Sequence, residues 1–246
     1  MVFLTNYPVG KAEIRRRNLV QEFLYMSSWA FVRIFALVML RFDIHRHSNL
    51  PSGPMIFVAN HPSATDPFLI HMISRKQMNV LITAKAFSVP LFGWFLHKVQ
   101  EIPVPLEQGS VALEQARRHL DKGRSVAIFI EGHISPLEGG FLPPRSGAAR
   151  LALSSGAPVV PVGIFLHRDR CQNIRSSIAG GIPSEARWYL RGPYAITVGQ
   201  PTTFEGDAED PEHVRRTSET IMERIRHLAH ESERRIHRRN PAPSPA

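Results

Sequence analysis

A short apolar run, Met55 to Ala59, ends directly in Asn60-His61-Pro-Ser-Ala-Thr-Asp66-Pro67, which sets a histidine and a carboxylate five positions apart at a strand-to-helix corner. Histidine is the usual general base near neutral pH, and it works best when a carboxylate fixes its tautomer. Five residues of a regular helix turn through about 140°, so a continuous helix would point the two side chains apart. The prolines change that geometry. Pro62 biases His61 away from the helical region, and Asp66-Pro67 reads as an N-cap followed by proline at the first helical position. His61 is then expected on a loop, free to fold back towards Asp66. The same residues also fit a plain helix cap and an ordinary turn histidine, and this motif by itself does not separate the readings.

A second element tips the balance. Ser125 to Ile130 is another buried-strand run, and it ends in Glu131-Gly132. Downstream come Gly139-Gly-Phe-Leu-Pro-Pro-Arg145-Ser-Gly147-Ala-Ala-Arg-Leu-Ala-Leu-Ser-Ser-Gly156 and Ala157-Pro-Val-Val-Pro161-Val-Gly-Ile164. Together these blocks resemble the glycerolipid acyltransferase family, whose members acylate glycerol 3-phosphate or lysophosphatidate. The order agrees: a His-x4-Asp block, a Pro/Gly loop followed by Ile102-Pro-Val, a Glu-Gly block and a Val-Pro-Val block, spanning Leu50 to Phe165.

The resemblance implies transfer of a fatty acyl group to a lipid hydroxyl. The donor would be acyl-CoA or acyl-carrier protein, a co-substrate rather than a cofactor, and the acceptor lysophosphatidate or another lysophospholipid. His61 and Asp66 are the implied catalytic pair. Asn60, Lys85, Glu131, Gly132 and Arg145 are the implied substrate-binding residues, with Glu131 engaging the acceptor or ordering the site. Backbone N–H groups around Glu131-Gly132 are candidates for holding the oxyanion, since glycine allows close approach. Ser63 lacks the Gly-x-Ser-x-Gly setting of a serine hydrolase.

Two positions depart from the family pattern. Leu106 and Ile134 stand where the family carries the arginines thought to hold the acceptor phosphate. A guanidinium pairs phosphate oxygens through a planar fork, which leucine and isoleucine cannot do. That keeps open a phosphate-free acceptor, such as a glycolipid, aminoacyl lipid or terpenoid. A third reading, an inactive lipid-binding membrane protein, is opposed by the intact His61 and Asp66.

Composition bounds the rest. With 246 residues, 43% of them hydrophobic, the chain can bury one full core. Its net charge of +9 rests on 25 arginines and 5 lysines, a balance that suits an anionic lipid surface or nucleic acid. No zinc spacing, RNA-binding signature or basic recognition helix is present, so no nucleic-acid partner and no metal are expected. Cys171 is the only cysteine, which excludes an internal disulfide, and its arginine-rich setting gives a nucleophile no support.

A basic cluster at Lys11 and Arg15 to Arg17 precedes an apolar stretch, Leu19 to Leu40, unlike a secretory signal. The stretch has roughly the length of a membrane span, but Gln21, Glu22 and Arg33 interrupt it. An interfacial or re-entrant helix is therefore preferred, with Tyr25 and Trp29 at headgroup depth, over a soluble amphipathic helix or a true span. A membrane-associated protein on the cytoplasmic face is expected, with membrane lipids as partners.

The remaining pattern alternates short apolar runs with helix-like segments, the mark of an α/β fold: one sheet-centred domain flanked by helices, behind an N-terminal membrane-associating helical segment. Expected units are that segment (1–45), the α/β domain (46–210), a C-terminal helix (211–239) and a disordered tail (240–246). Strands are expected at 55–59, 80–83, 100–104, 125–130, 159–164 and 195–198. Helices are expected at 67–74, within 87–97, and at 110–121, 147–155 and 211–235. Ser110 is the expected N-cap of the third, and Gly123 and Gly156 the expected stops. Residues 167–193 carry basic and aromatic groups and read as an exposed excursion, able to touch headgroups or simply a loop.

Overall fold

The runs Ile56–Ala59 (β2) and Ser125–Phe129 (β5) are apolar at nearly every position, which suits strands buried on both faces of a parallel sheet. In the computed structural model, which describes residues 19–74, 77–106, 108–178 and 182–239, they pair with each other at the sheet's centre. The remaining strands are β1 (Leu40–Arg46), β3 (Met78–Thr83), β4 (Ile102–Val104), β6 (Val159–Leu166) and β9 (Gly192–Val198), giving the order β1-β9-β6-β2-β5-β3-β4. All neighbours are parallel except β6 and β9.

The period of two along β2 divides the core. Ile56 and Val58 face α5 (Gly109–Asp121), α6 (Gly147–Ser155) and α7 (Pro211–Arg239), against Ala116, Ala148, Leu151 and Ile225. Phe57 and Ala59 face the other way, onto Leu69 and Ile70 of the 66–73 segment, Tyr194, and Ala36 of α1 (Leu19–Met39). Helices thus cover both sides of one sheet, the expected α/β architecture. Where α7 crosses β6 the approach is so close that a Cβ on Gly163 would lie 2.1 Å from the Ala229 nitrogen, so only glycine fits.

Several local expectations are corrected. The 67–74 helix is a single α-turn, α2 (Asp66–Leu69), running into a 3₁₀ turn (Ile70–Ile73). The helix expected within 87–97 is α4 (Phe92–Lys98), preceded by a separate short turn, α3 (Ala84–Phe87), with Pro90 between them; proline has no N–H to continue the ladder. Ser110 is not a cap, since α5 starts one residue earlier behind Gln108. Gly123 and Gly156 do take left-handed conformations, φ +76° and +65°, at their helix ends. The 167–193 excursion is a β-hairpin, β7 (Gln172–Ile178) and β8 (Ile182–Trp188).

The boundary expected at residue 45 falls inside β1, which pairs with β9 over its full length. The alternation that would have revealed β1 is hidden by the long apolar stretch that runs into it. The basic cluster at 11–17 and the 240–246 tail lie outside the described residues.

Helix α1 contains an 18-residue window, Glu22–Met39, of mean hydropathy 1.4, only 6% of it buried. Its last turns dock on the core through Val32, Phe35 and Ala36, while Phe23, Phe31, Ile34, Leu37 and Val38 are exposed. Leu91 and Trp94 at α4 are exposed as well.

Candidate active site

His61 lies just beyond the carboxyl end of β2, and Glu131 just beyond that of the adjacent β5. Open α/β sheets place their ligands at this edge. The chain leaves β2 into irregular backbone at Asn60 to Pro62, and the imidazole folds back so that its Nδ1 lies 2.9 Å from Asp66 Oδ2. Asp66 is the first residue of α2, yet its carboxylate turns inward and is wholly buried, so it is not the cap that its position implied.

Four donors converge on that carboxylate. Oδ2 accepts from His61 Nδ1 and, at 2.8 Å, from the Ser63 N–H. Oδ1 accepts from the Ser63 hydroxyl at 2.9 Å and the Tyr194 hydroxyl at 2.7 Å. Burial, reinforced by Asp66, holds the Tyr194 phenol well above its ordinary range, so it remains a donor. The network fixes Nδ1 as the protonated nitrogen and leaves Nε2 to act as base. One face of the imidazole stacks on Phe129, ring centroids 4.2 Å apart, and its side chain is 15% exposed. Nε2 has no partner among the described residues. Ser63, fully buried and donating into Asp66, cannot serve as a nucleophile.

Glu131 organises the backbone around this pair. Its Oε1 accepts from the His61 N–H at 3.0 Å and the Ser135 hydroxyl at 2.7 Å, while Oε2 accepts from the Leu142 N–H at 2.7 Å. The Ser135 N–H in turn donates to the His61 carbonyl at 2.7 Å. The buried glutamate therefore ties the His61 loop to the 132–142 loop. Asn60 acts in a comparable way, since both ends of its buried amide bond the backbone of Ile164 on β6, at 2.9 and 2.8 Å. As arranged, Asn60 and Glu131 support the pair from within the protein.

Gly132 sits at φ +68°, and a Cβ there would lie 2.4 Å from Arg145 Cδ; the glycine lets the arginine lie across the turn. Its N–H donates to the Phe129 carbonyl at 3.0 Å, so this particular oxyanion donor is taken up by the turn. Arg145 is exposed, with Nη2 3.2 Å from His133 Nδ1. Lys85 is exposed on α3, and no contact among the described residues joins its ammonium to the pair. The structure thus brings together His61, Asp66, Asn60 and Glu131 and sets Gly132 with Arg145 beside them.

Tyr194, Phe129 and Ser135 were missed in the sequence, as were Arg168 and Arg187, and Ser63 was weighed only as a nucleophile. Tyr194 is 128 positions from Asp66, and no local spacing announces such a contact. Desolvation raises the Cys171 thiol to about 11, which leaves it protonated and unreactive. His45 on β1, His47 just past its end and Glu231 on α7 bring metal-ligating atoms within 4.8 Å of one another; Arg235 Nη1 also reaches Glu231, at 3.5 Å. The two histidines are two positions apart, but the glutamate comes from the far end of the chain.

A family model described as Acyltransferase matches residues 41–165, half of the chain. The 1-acyl-sn-glycerol-3-phosphate acyltransferase BAT2 of Brassica napus is 27% identical over 67% of this chain and 48% of its own length. The lyso-ornithine lipid O-acyltransferase of Pseudomonas aeruginosa is 30% identical over 63% of this chain and 59% of its own. The chain thus spans about half the length of these relatives. The crystal structure of the 1-acyl-sn-glycerophosphate (LPA) acyltransferase of Thermotoga maritima superposes with a TM-score of 0.62, covering 89% of this chain and 83% of that one at 19% identity, a likeness of fold. With the His-x4-Asp pair closed at the end of the central strand and the family match running across all four blocks, the chain belongs to the glycerolipid acyltransferase family.

Proposed function

We propose that this chain transfers a fatty acyl group from a thioester carrier, acyl-CoA or acyl-carrier protein, to the free hydroxyl of lysophosphatidate or another lysophospholipid. The observation that carries the reading is the His61–Asp66 contact, with Nδ1 engaged and Nε2 without a partner among the described residues. Nε2 takes the proton as the acceptor oxygen attacks the thioester carbonyl, and Asp66 stabilises the imidazolium. The tetrahedral intermediate then collapses, the C–S bond breaks, and the imidazolium returns the proton to the departing thiolate. No protein nucleophile is required, because a thioester is already activated.

A second acceptor class is favoured by Leu106 and Ile134. Leu106 is 80% exposed, and neither side chain can pair with a phosphate. The Pseudomonas relative, named for a lyso-ornithine lipid, fits such a departure. Incubating purified protein with radiolabelled acyl-CoA and a panel of lysolipids tests both readings. Formation of diacyl product from lysophosphatidate supports the first, and product from phosphate-free acceptors alone supports the second. Absence of transfer with acyl-CoA and with acyl-carrier protein, to every acceptor, overturns acyl transfer itself.

We also propose that α1 and the exposed Leu91 and Trp94 hold the protein on a membrane surface on the cytoplasmic side. The helix is about 30 Å long, but its docked end suits lying at the interface, where Phe23, Phe31 and Ile34 enter the lipid. A narrow cavity of about 40 Å³ lies between α1, Phe68 and α4. Burying each large apolar side chain contributes about 1.5–3 kcal/mol. Replacing Phe23, Phe31 and Ile34 together by glutamate should therefore lower sedimentation with anionic vesicles by more than about 10-fold while leaving the thermal midpoint nearly unchanged. Undiminished sedimentation of the triple variant would count against this tether.

A further inference from the structure

We infer that Arg168 and Arg187 form an anion site at the edge of the catalytic centre, and that it receives the phosphate or carboxylate of the acceptor headgroup. The inference rests on the acyl-transfer reading. Both arginines lie beyond the 41–165 match, in the 167–193 region that carries the hairpin. They bond the backbone just after Ile134, one of the two positions where the family's own arginines are absent.

Their contacts place them there. Arg168 follows β6 and donates through Nη1 to the Pro136 carbonyl and through Nη2 to the Gly140 carbonyl at 2.8 Å. Arg187, near the end of β8, donates through Nη2 to the Ser135 carbonyl. The Arg187 carbonyl accepts the Ala64 N–H at 2.7 Å, inside the His-x4-Asp loop, and the Ser135 N–H donates to the His61 carbonyl at 2.7 Å. Arg187 is therefore joined to the catalytic loop from two directions.

No carboxylate touches either guanidinium directly among the described residues. A guanidinium carries five N–H donors; among the described residues Arg168 uses two of them and Arg187 one, all on neutral carbonyls. Neither arginine forms an ion pair among the described residues. Two buried carboxylates, Glu131 and Asp66, stand near enough to act on Arg168 through space, but their oxygens are filled by Leu142, Ser135, Ser63, Tyr194 and His61. Desolvation, together with the positive charge of Arg187, lowers the Arg168 guanidinium below its ordinary range. Half-buried cations with open donors are costly unless an anion completes them. The bidentate fork suits a phosphate or a carboxylate. The lipid that offers its hydroxyl to His61 brings such a group to the same edge.

The test uses the full chain with Arg168→Gln, Arg187→Gln and the milder Arg187→Lys. Steady-state transfer is measured with lysophosphatidate, with a lysolipid bearing a carboxylate headgroup, and with neutral monoacylglycerol, each at varied acyl-CoA. A parallel measurement, the thermal shift given by glycerol 3-phosphate, reports anion binding without turnover. The glutamine variants should raise the KM ratio of an anionic acceptor to monoacylglycerol by about 10-fold, the scale of one charge-assisted pair, and abolish the thermal shift. Arg187→Lys should fall between, keeping the charge without the fork. The anionic acceptor whose ratio moves more identifies the headgroup. A ratio unchanged within twofold would mean that the arginines only staple the 135–140 loop, and an increase confined to the KM for acyl-CoA would place the donor's phosphates there. Either result overturns the inference. If the wild type transfers nothing to any acceptor yet shows a thermal shift that depends on Arg187, the anion site stands and the acyl-transfer reading falls.

Discussion

Replacing His61 by alanine should lower acyl transfer by at least about 10²-fold while the protein remains folded. General bases contribute about 10²–10⁴-fold, and no other imidazole among the described residues is joined to Asp66. Folding should survive because Asp66 keeps three of its four donors, two from Ser63 and one from Tyr194. The lost contacts are one hydrogen bond and the stack on Phe129, a cost of about 1–2 kcal/mol. Asp66→Asn should be at least as inactive, for a different reason. Each carboxylate oxygen accepts two donors, so an amide NH₂ in either orientation faces donors, and one orientation turns it towards His61 Nδ1. The imidazole then loses the tautomer that leaves Nε2 free. Comparing kcat and thermal midpoint across the pair separates the effects: His61→Ala should change rate with little change in stability, and Asp66→Asn should change both. Near-normal turnover in His61→Ala would remove the proposed base.

The residues on which that prediction rests were legible because their geometry is local. Pro62 and Pro67 bracket a six-residue turn, and the preceding run is too apolar to be anything but a buried strand. The Asp66 environment was not legible. Tyr194 reaches it from an antiparallel strand, and the hairpin bearing Arg187 lacks the apolar alternation that marks a strand with one face in a core. The 67–74 helix is shorter than its sequence suggests because Pro67 starts a helix well, whereas what ends it after one turn is tertiary packing of Leu69, Ile70 and Ile73 under the sheet. Strand β1 was concealed by its neighbour: α1 is apolar on the face that meets the domain and also on the face that does not. Nothing in a single sequence marks where the one role ends and the other begins.

Glu131 offers the sharper test, since the resemblance gave it to acceptor binding or to ordering the site, while its contacts are with the protein's own donors. Removing it altogether in Glu131→Ala would strand the His61 N–H, the Leu142 N–H and the Ser135 hydroxyl, each at about 1–3 kcal/mol. The sum approaches the whole stability of a domain, so that variant should accumulate poorly. Glu131→Gln keeps the shape and is the informative change. With its oxygen turned to His61 and Ser135, the new NH₂ opposes the Leu142 N–H; turned the other way, it opposes the His61 N–H. Either strain loosens the backbone that fixes the imidazole, and a displacement of about 1 Å at a reacting group can cost about 10²-fold. Glu131→Gln should therefore lower kcat by about 10- to 100-fold and unfold about 1–3 kcal/mol more easily in urea, with the KM for the acceptor moving less than about threefold. A glutamate that held the acceptor's hydroxyls would behave in the opposite way, raising that KM while leaving the urea midpoint in place. The second pattern would return Glu131 to the substrate and leave the His61 loop to be held by Ser135 and Arg187 alone.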